Sequence, residues 1–165
     1  MNRRLFLAAI PAVLATGCGF QLRRMVDVPF ASLYVDAPQG GAVAQRIRSA
    51  LISSQRTRLA ASVGEAEAVL VLGPEARSKT ILSLSGAGRV TEYRLGLQLT
   101  YGINDQDGRT LAAAETIELS RDITYDDAQV LAKAAEEQLL YRDMEDSAAR
   151  RIMRRLQSIG SGPAS

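Results

Sequence analysis

The chain has no histidine, no tryptophan and only one cysteine among its 165 residues. Without histidine, the usual proton shuttle near neutral pH and the usual protein metal ligand are both missing, which counts against hydrolase and metalloenzyme sites. One cysteine cannot close a disulfide within the chain, so stability must come from packing. Aromatics make up 5% of residues, and neither sign of charge dominates. When residues 1–17 are set aside as an export signal, Arg3 and Arg4 leave with them, and 18 basic side chains face 18 acidic ones. A neutral chain lacks the broad cationic surface of nucleic-acid binders, so no nucleic-acid partner is expected and any basic patch must be local. With 47% hydrophobic and 23% charged residues the composition is that of a folded protein, and the remaining 148 residues suit one domain.

What is present begins at the N-terminus. Arg3 and Arg4 precede twelve uncharged residues, 5–16. That run is too short for a bilayer, which takes roughly 20 residues, and has the form of a signal peptide. Leu14-Ala15-Thr16-Gly17-Cys18 resembles the lipobox of bacterial lipoproteins, in which cleavage falls before the cysteine and its sulfur receives a diacylglycerol. Leu14 stands one place further from the cysteine than the usual large aliphatic residue. An ordinary secretory signal is the simpler reading, but exported proteins use cysteines in pairs, and lipidation accounts for an odd one. Cys18 is thus the expected lipidation site, and a covalent lipid there, not a cofactor, is the expected attached group. At least two acyl chains are needed for stable anchoring.

Further along, Leu33, Val35 and Ala37 alternate in a short strand, residues 32–36, ended by Pro38-Gln39-Gly40-Gly41. Val43, Ile47 and Leu51 then recur every four residues, the mark of an amphipathic helix of about 14 residues. The apolar run Ala68-Val69-Leu70-Val71-Leu72 predicts a central strand, and 79–85 reads as a further extended segment, interrupted at Gly86-Ala87-Gly88. Tyr93, Leu95, Leu97, Leu99, Tyr101 and Ile103 alternate strictly, as a strand does. Residues 110–123 return across the turn Asn104-Asp105-Gln106-Asp107-Gly108, with Leu111, Ala113, Ile117, Leu119 and Ile123 in phase. Thr124, followed three residues later by Asp127, resembles a capping box that opens a helix over 125–157, with Val130, Ala134, Tyr141, Met144, Ala148, Ile152 and Leu156 as its apolar stripe.

The order β-α-β-β-β-α predicts an α+β fold, a two-layer sandwich in which a mixed four-stranded sheet carries two helices packed on one face. The expected organisation is a lipidated segment at 18–31, one α/β domain over 32–159 and a flexible tail at 160–165. The other face of the long hairpin, with Arg94, Gln98, Thr100, Gly96 and Gly102, is left to water or to a partner.

No catalytic or metal-binding residue is expected. The acid pairs Glu65 and Glu67, Asp105 and Asp107, Asp126 and Asp127, and Glu136 and Glu137 read as loop or helix-surface charges. Asp105-Gln106-Asp107-Gly108 begins like a calcium loop but lacks its downstream glutamate, and a hairpin turn explains it. Gly86-Ala87-Gly88 is followed by a strand pattern, so a kink between strands is preferred to a phosphate loop.

Three stretches taken together resemble the LPS-assembly lipoprotein family LptE: Cys18-Gly19-Phe20-Gln21-Leu22-Arg23 after the signal, Val90-Thr91-Glu92-Tyr93 at the start of the long strand, and the last helix with Val130-Leu131-Ala132-Lys133 and Asp143-Met144. The resemblance runs from Cys18 to about residue 159. It implies a two-layer α/β fold, a lipid anchor in the inner leaflet of the outer membrane at its periplasmic face, and a place inside an LptD-type β-barrel as the plug of a lipopolysaccharide translocon. It also implies lipopolysaccharide binding. Lys133 stands where the family carries a basic residue implicated in that binding. A second implicated cation falls, in this sequence, within Ser85-Gly86-Ala87-Gly88, and the nearest basic residue is Arg89. Read without the resemblance, Lys133 is a solvated helix residue and Arg89 a partner for Glu92 or for an acid across the hairpin. Two other functions compete: a pilot or chaperone lipoprotein for another outer-membrane channel, and an envelope hydrolase, which the missing histidine disfavours.

Overall fold

A computed structural model describes residues 28–159. The signal, Cys18 with its flanking motif and the tail at 160–165 lie outside the described residues. The strict alternation after residue 90 forms the longest strand of the sheet, and the other elements assemble around it. In chain order the elements are β1 (Ser32–Asp36), α1 (Ala42–Ser54), β2 (Arg58–Leu59), β3 (Ala68–Leu72), β4 (Ala76–Leu84), β5 (Val90–Asp105), β6 (Thr110–Thr124) and α2 (Val130–Ile159). The sheet is mixed, as expected, but has six strands, not four. β4 is a full nine-residue strand, and β2 adds two residues in parallel with β1.

β5 is the spine. Along one side its first part pairs with β4, from Ala76↔Gln98 to Leu84↔Val90, and its last part with β3, from Ala68↔Asp105 to Leu72↔Tyr101. Its whole other side pairs with β6. The core-facing residues of β5 are those the alternation assigned: Leu95, Leu97, Leu99, Tyr101 and Ile103 are buried, and Tyr93 is partly so. They meet Val43, Ala44, Ile47 and Leu51 of α1, together with Tyr141, Met144, Ala148, Ile152 and Leu156 of α2, so both helices lie on one face of the sheet. β3 reads as an unbroken apolar run because it is covered on both faces. Leu70 faces the main core, while Val69 packs with Ala60 and Ala66 of the loop on the far side.

Three local expectations are corrected. In β6 the pairing shifts between Tyr101↔Glu115 and Ile103↔Ala112, so β6 spends an extra residue and its alternation reverses. Ala112 turns inward and is buried, while Leu111, expected inside, is exposed. Thr124 is the last residue of β6 and not a helix cap. The cap is Asp126, whose carboxylate accepts from the Ala128 amide at 2.9 Å and starts a short 3-10 turn, Asp127–Gln129, leading into α2. The stripe of α2 is buried from Tyr141 onward, but Val130 and Ala134 are exposed, because the first three turns meet only the polar edge of the sheet. There Lys79 of β4 bridges to Glu137 at 2.7 Å, and the Tyr141 hydroxyl donates to the Ser78 carbonyl at 2.8 Å.

The start of α1 has no side-chain cap of its own, since Gly41 precedes it. Glu75, in the short link between β3 and β4, supplies one: its carboxylate accepts from the Ala42 amide at 3.1 Å and the Val43 amide at 2.8 Å. A carboxylate there also complements the positive end of the helix dipole. Gly41 has φ +124°, and a Cβ at that position would collide with the Glu75 carboxylate. Gly41→Ala is therefore expected to strain the backbone and displace the cap, lowering unfolding free energy by about 2 kcal/mol in urea titration. A loss under about 0.5 kcal/mol would show that α1 does not depend on this cap.

Candidate functional site

The two turns that flank β5 share one architecture. In Ser85-Gly86-Ala87-Gly88-Arg89 the Ser85 amide donates to the Arg89 carbonyl at 2.7 Å, and the Gly88 amide to the Ser85 carbonyl at 2.9 Å. In Asp105-Gln106-Asp107-Gly108-Arg109 the equivalent bonds are 2.8 and 3.1 Å. Gly88 and Gly108 take the same left-handed conformation, φ +75° and +82°, as a three-residue hairpin loop closed by a glycine bulge requires. The side chain that opens each turn accepts from the amide of the arginine that closes it, Ser85 Oγ at 3.2 Å and Asp105 Oδ1 at 2.8 Å. The kink expected at Gly86–Gly88 is thus a hairpin turn, and the calcium-like residues form a second one.

The two arginines differ in what surrounds them. Arg109 bridges to Asp105 at 3.0 Å and to Asp107 at 2.7 Å. Ser85 and Ala87 stand where those two aspartates stand. Arg89 is exposed, and its guanidinium makes no hydrogen bond or ion pair with any described residue. The expected pairing with Glu92 does not form, because Glu92 lies beside Ser83, whose hydroxyl is 3.2 Å from its carboxylate.

Lys133 is held in place. Its ammonium donates to Thr124 Oγ1 and to Glu136 Oε2, both at 2.9 Å, and its side chain is only 17% exposed, so it is not the freely solvated residue of the simpler reading. An ion pair three residues apart on a helix is worth only about 0.2–0.5 kcal/mol. Thr124 pairs with Glu92, and the Tyr125 amide donates to the Thr91 carbonyl at 2.8 Å. The fold therefore brings Lys133 and the Arg89 turn to one end of the sheet. A cleft of about 190 Å³ lies there, lined by Arg89, Thr91, Tyr125 and Asp126 among others. The chain enters at the other end, where the Ala31 amide donates to Glu67 at 2.6 Å and Ala68 pairs with Asp105. Along β5 the two ends are roughly 50 Å apart at about 3.3 Å per residue.

The helix-free face of the sheet is polar and internally paired. Arg94 grips Asp122 through two bonds of 2.7 and 2.9 Å, Gln98 meets Glu118 at 3.1 Å, and Thr100 meets Thr116 at 3.0 Å. The hydrogen bond from Arg94 holds the Asp122 carboxyl below the ordinary aspartate range. No helix among the described residues is long and apolar enough to cross a membrane, and no group of three His, Cys, Asp or Glu side chains is placed to hold a metal.

In class, this is a small α+β domain of the kind seen in solved bacterial lipoproteins. It is similar to the solution structure of lipoprotein B from Nitrosomonas europaea, with 34% identity and a TM-score of 0.74 over 87% of this chain and 94% of that one. It is also similar to rare lipoprotein B from Shewanella oneidensis, with 26% identity and a TM-score of 0.65 over 77% and 94%. The LPS-assembly lipoprotein LptE of Photorhabdus laumondii is 27% identical over 157 residues, covering 93% of this chain and 84% of that protein. The family model for lipopolysaccharide assembly, LptE, matches residues 30–156, and the chain belongs to that family.

Proposed function

We propose that the protein is the lipopolysaccharide-binding plug of an outer-membrane translocon. In this reading acylated Cys18 tethers it to the periplasmic face of the outer membrane, and the domain sits in an LptD-type β-barrel. It holds lipopolysaccharide through Arg89 and Lys133 on the way to the cell surface and catalyses nothing. The segment before the domain is its tether, and residues 160–165 are a tail. Family membership supports the partner and the cargo. The observation that carries the binding site is the unmatched Arg89, displayed in a turn whose counterpart neutralises its arginine with two aspartates. Phosphorylated glycolipids need a few fixed cations, which a neutral chain can supply locally.

Two experiments test this reading. Affinity isolation of the full-length lipidated protein from its native membrane is expected to bring down an LptD-type barrel. Recovery of a secretin-type ring would instead favour the pilot reading. Lys133→Asp in the same protein is expected to weaken lipopolysaccharide binding about fivefold or more, since a charge-assisted contact becomes a repulsive one. Unchanged binding removes Lys133 from the site.

A further inference from the structure

The end of β4 carries apolar side chains where an edge strand ordinarily carries charge. β4 pairs only with β5, so its other edge is unpaired. Exposed edges are normally blunted by charged residues or proline. Here Ile81 is 57% exposed, Leu82 41% and Leu84 57%, three of the nine large exposed apolar side chains of the described residues, within four positions. Pairing with β5 shifts register twice at this point, between Ile81 and Ser83 and again between Ser83 and Leu84. Leu82 is left without a partner on β5, and every residue of the strand except Ser83 is exposed, so consecutive apolar residues stand in the open together. Ser83 is the pivot. Its hydroxyl lies 2.6 Å from Thr91 Oγ1 and 3.2 Å from Glu92, so the irregularity is pinned from beneath.

Three cations lie on or just beyond this strand, Arg77, Lys79 and Arg89, and the acids of the same end are Glu92, beside Ser83, and Asp126 and Asp127, which line the cleft next to Arg89. Glu145 and Glu137 of α2 match the first two, and Arg89, five residues past Leu84, is unmatched. The double register shift interrupts the regular row of amides and carbonyls that an added strand would need. An apolar surface beside an unpaired cation, on an edge unsuited to another strand, fits a ligand with alkyl chains and an anionic head.

We propose that Ile81, Leu82 and Leu84 are the acyl-chain contact of this protein, taking the alkyl chains of the phosphorylated glycolipid whose head Arg89 holds. This rests on the lipopolysaccharide-binding reading above and adds to it the part of the ligand that β4 recognises. The cations select the head, and the strand end discriminates by chain.

The test uses the full-length lipidated protein in phosphatidylcholine nanodiscs, with empty discs as blank. The probes are lipid A, its fully deacylated bisphosphorylated disaccharide, and phosphatidylglycerol vesicles. Wild type is expected to bind lipid A about tenfold or more tighter than the disaccharide. In the triple variant I81S/L82S/L84S, lipid A affinity is expected to fall by about that factor while disaccharide affinity stays unchanged. These side chains are exposed, so the variant is expected to melt like wild type. Should it not, Ile81→Gln and Leu84→Gln singly carry the same comparison. A folded variant that binds lipid A as wild type does overturns the acyl contact and leaves the lipopolysaccharide reading standing. Wild type that binds neither lipid A nor the disaccharide overturns both. Phosphatidylglycerol bound as tightly as lipid A, and lost in the same variant, assigns the strand end to anionic membrane in general and overturns the proposal.

Discussion

Glu145→Ala is expected to cost about 3 kcal/mol of unfolding free energy, read as a lower urea midpoint with unchanged slope. Glu145 sits on α2 between Met144 and Ala148, both in the core, and is 2% exposed. Its carboxylate receives Arg46 of α1 at 2.8 Å and, on its other oxygen, Arg77 of β4. Arg46 continues to Asp146 at 2.7 Å, and Arg77 lies over the Tyr141 ring, 4.8 Å from its centroid. One acid thus ties both helices to the edge of the sheet. The hydrogen bond that Arg46 donates to Glu145 is the main reason its pKa is raised above the usual value. Removing one member of a buried charge group typically costs about 3–5 kcal/mol because its partners stay behind uncompensated. Here the arginine side chains are 30% and 44% exposed and regain some water, which places the loss at the low end. The variant pair Glu145→Met with Arg77→Met is expected to recover part of it, since Arg46 keeps Asp146 while Arg77 has no other acid. A loss under about 1 kcal/mol for Glu145→Ala would mean that the group behaves as an ordinary solvated surface pair.

The Glu145 group also shows where a sequence stops being readable. Periodicity displays a contact between neighbours in a strand or along a helix face, which is why β5, α1 and the buried half of α2 were all legible. Arg46 lies 99 residues from Glu145 and Arg77 lies 68, and nothing in the local pattern marks an acid in a helix as buried. The reversal in β6 was hidden for a different reason. A bulge leaves each residue's polarity unchanged and alters only its side of the sheet, so Ala112 and Leu111 exchange roles without any signal in composition. Two-residue β2 is too short to show a period, and β4, legible as an extended segment over 79–85, hid its start and its place in the sheet by exposing nearly every side chain. In the candidate site, Lys133 and Arg89 came from family resemblance and not from pattern. Ile81, Leu82 and Leu84 were missed because consecutive apolar residues in a strand ordinarily signal burial. The likeness between the two turns was within reach, since Gly-Arg closes both, but only their shared bonding shows that the same position is neutralised in one and left bare in the other.

Grafting the neutralised turn onto the bare one gives the largest expected effect on binding. In the variant S85D/A87D the new carboxylates stand where Asp105 and Asp107 stand, and the hairpin geometry common to both turns aims them at Arg89 as the originals are aimed at Arg109. Lipopolysaccharide affinity is expected to fall about tenfold or more at low salt, because the site loses a free cation and gains two charges that repel phosphate. Raising ionic strength is expected to narrow the gap between variant and wild type, as screening of exposed charges demands. Stability is the control that separates this from a folding defect. Asp105 already performs the turn-closing role with better geometry than Ser85, 2.8 against 3.2 Å, so the variant is expected to melt at or above the wild-type temperature. The converse variant, D105S/D107A, bares Arg109 at the far end of β5 and is expected to leave lipopolysaccharide binding unchanged, since that end lacks Lys133 and the apolar strand end. Equal binding by S85D/A87D and wild type would detach Arg89 from the ligand. A gain of binding in D105S/D107A would mean that any unmatched arginine on this domain suffices, and that the site has no fixed place in the fold.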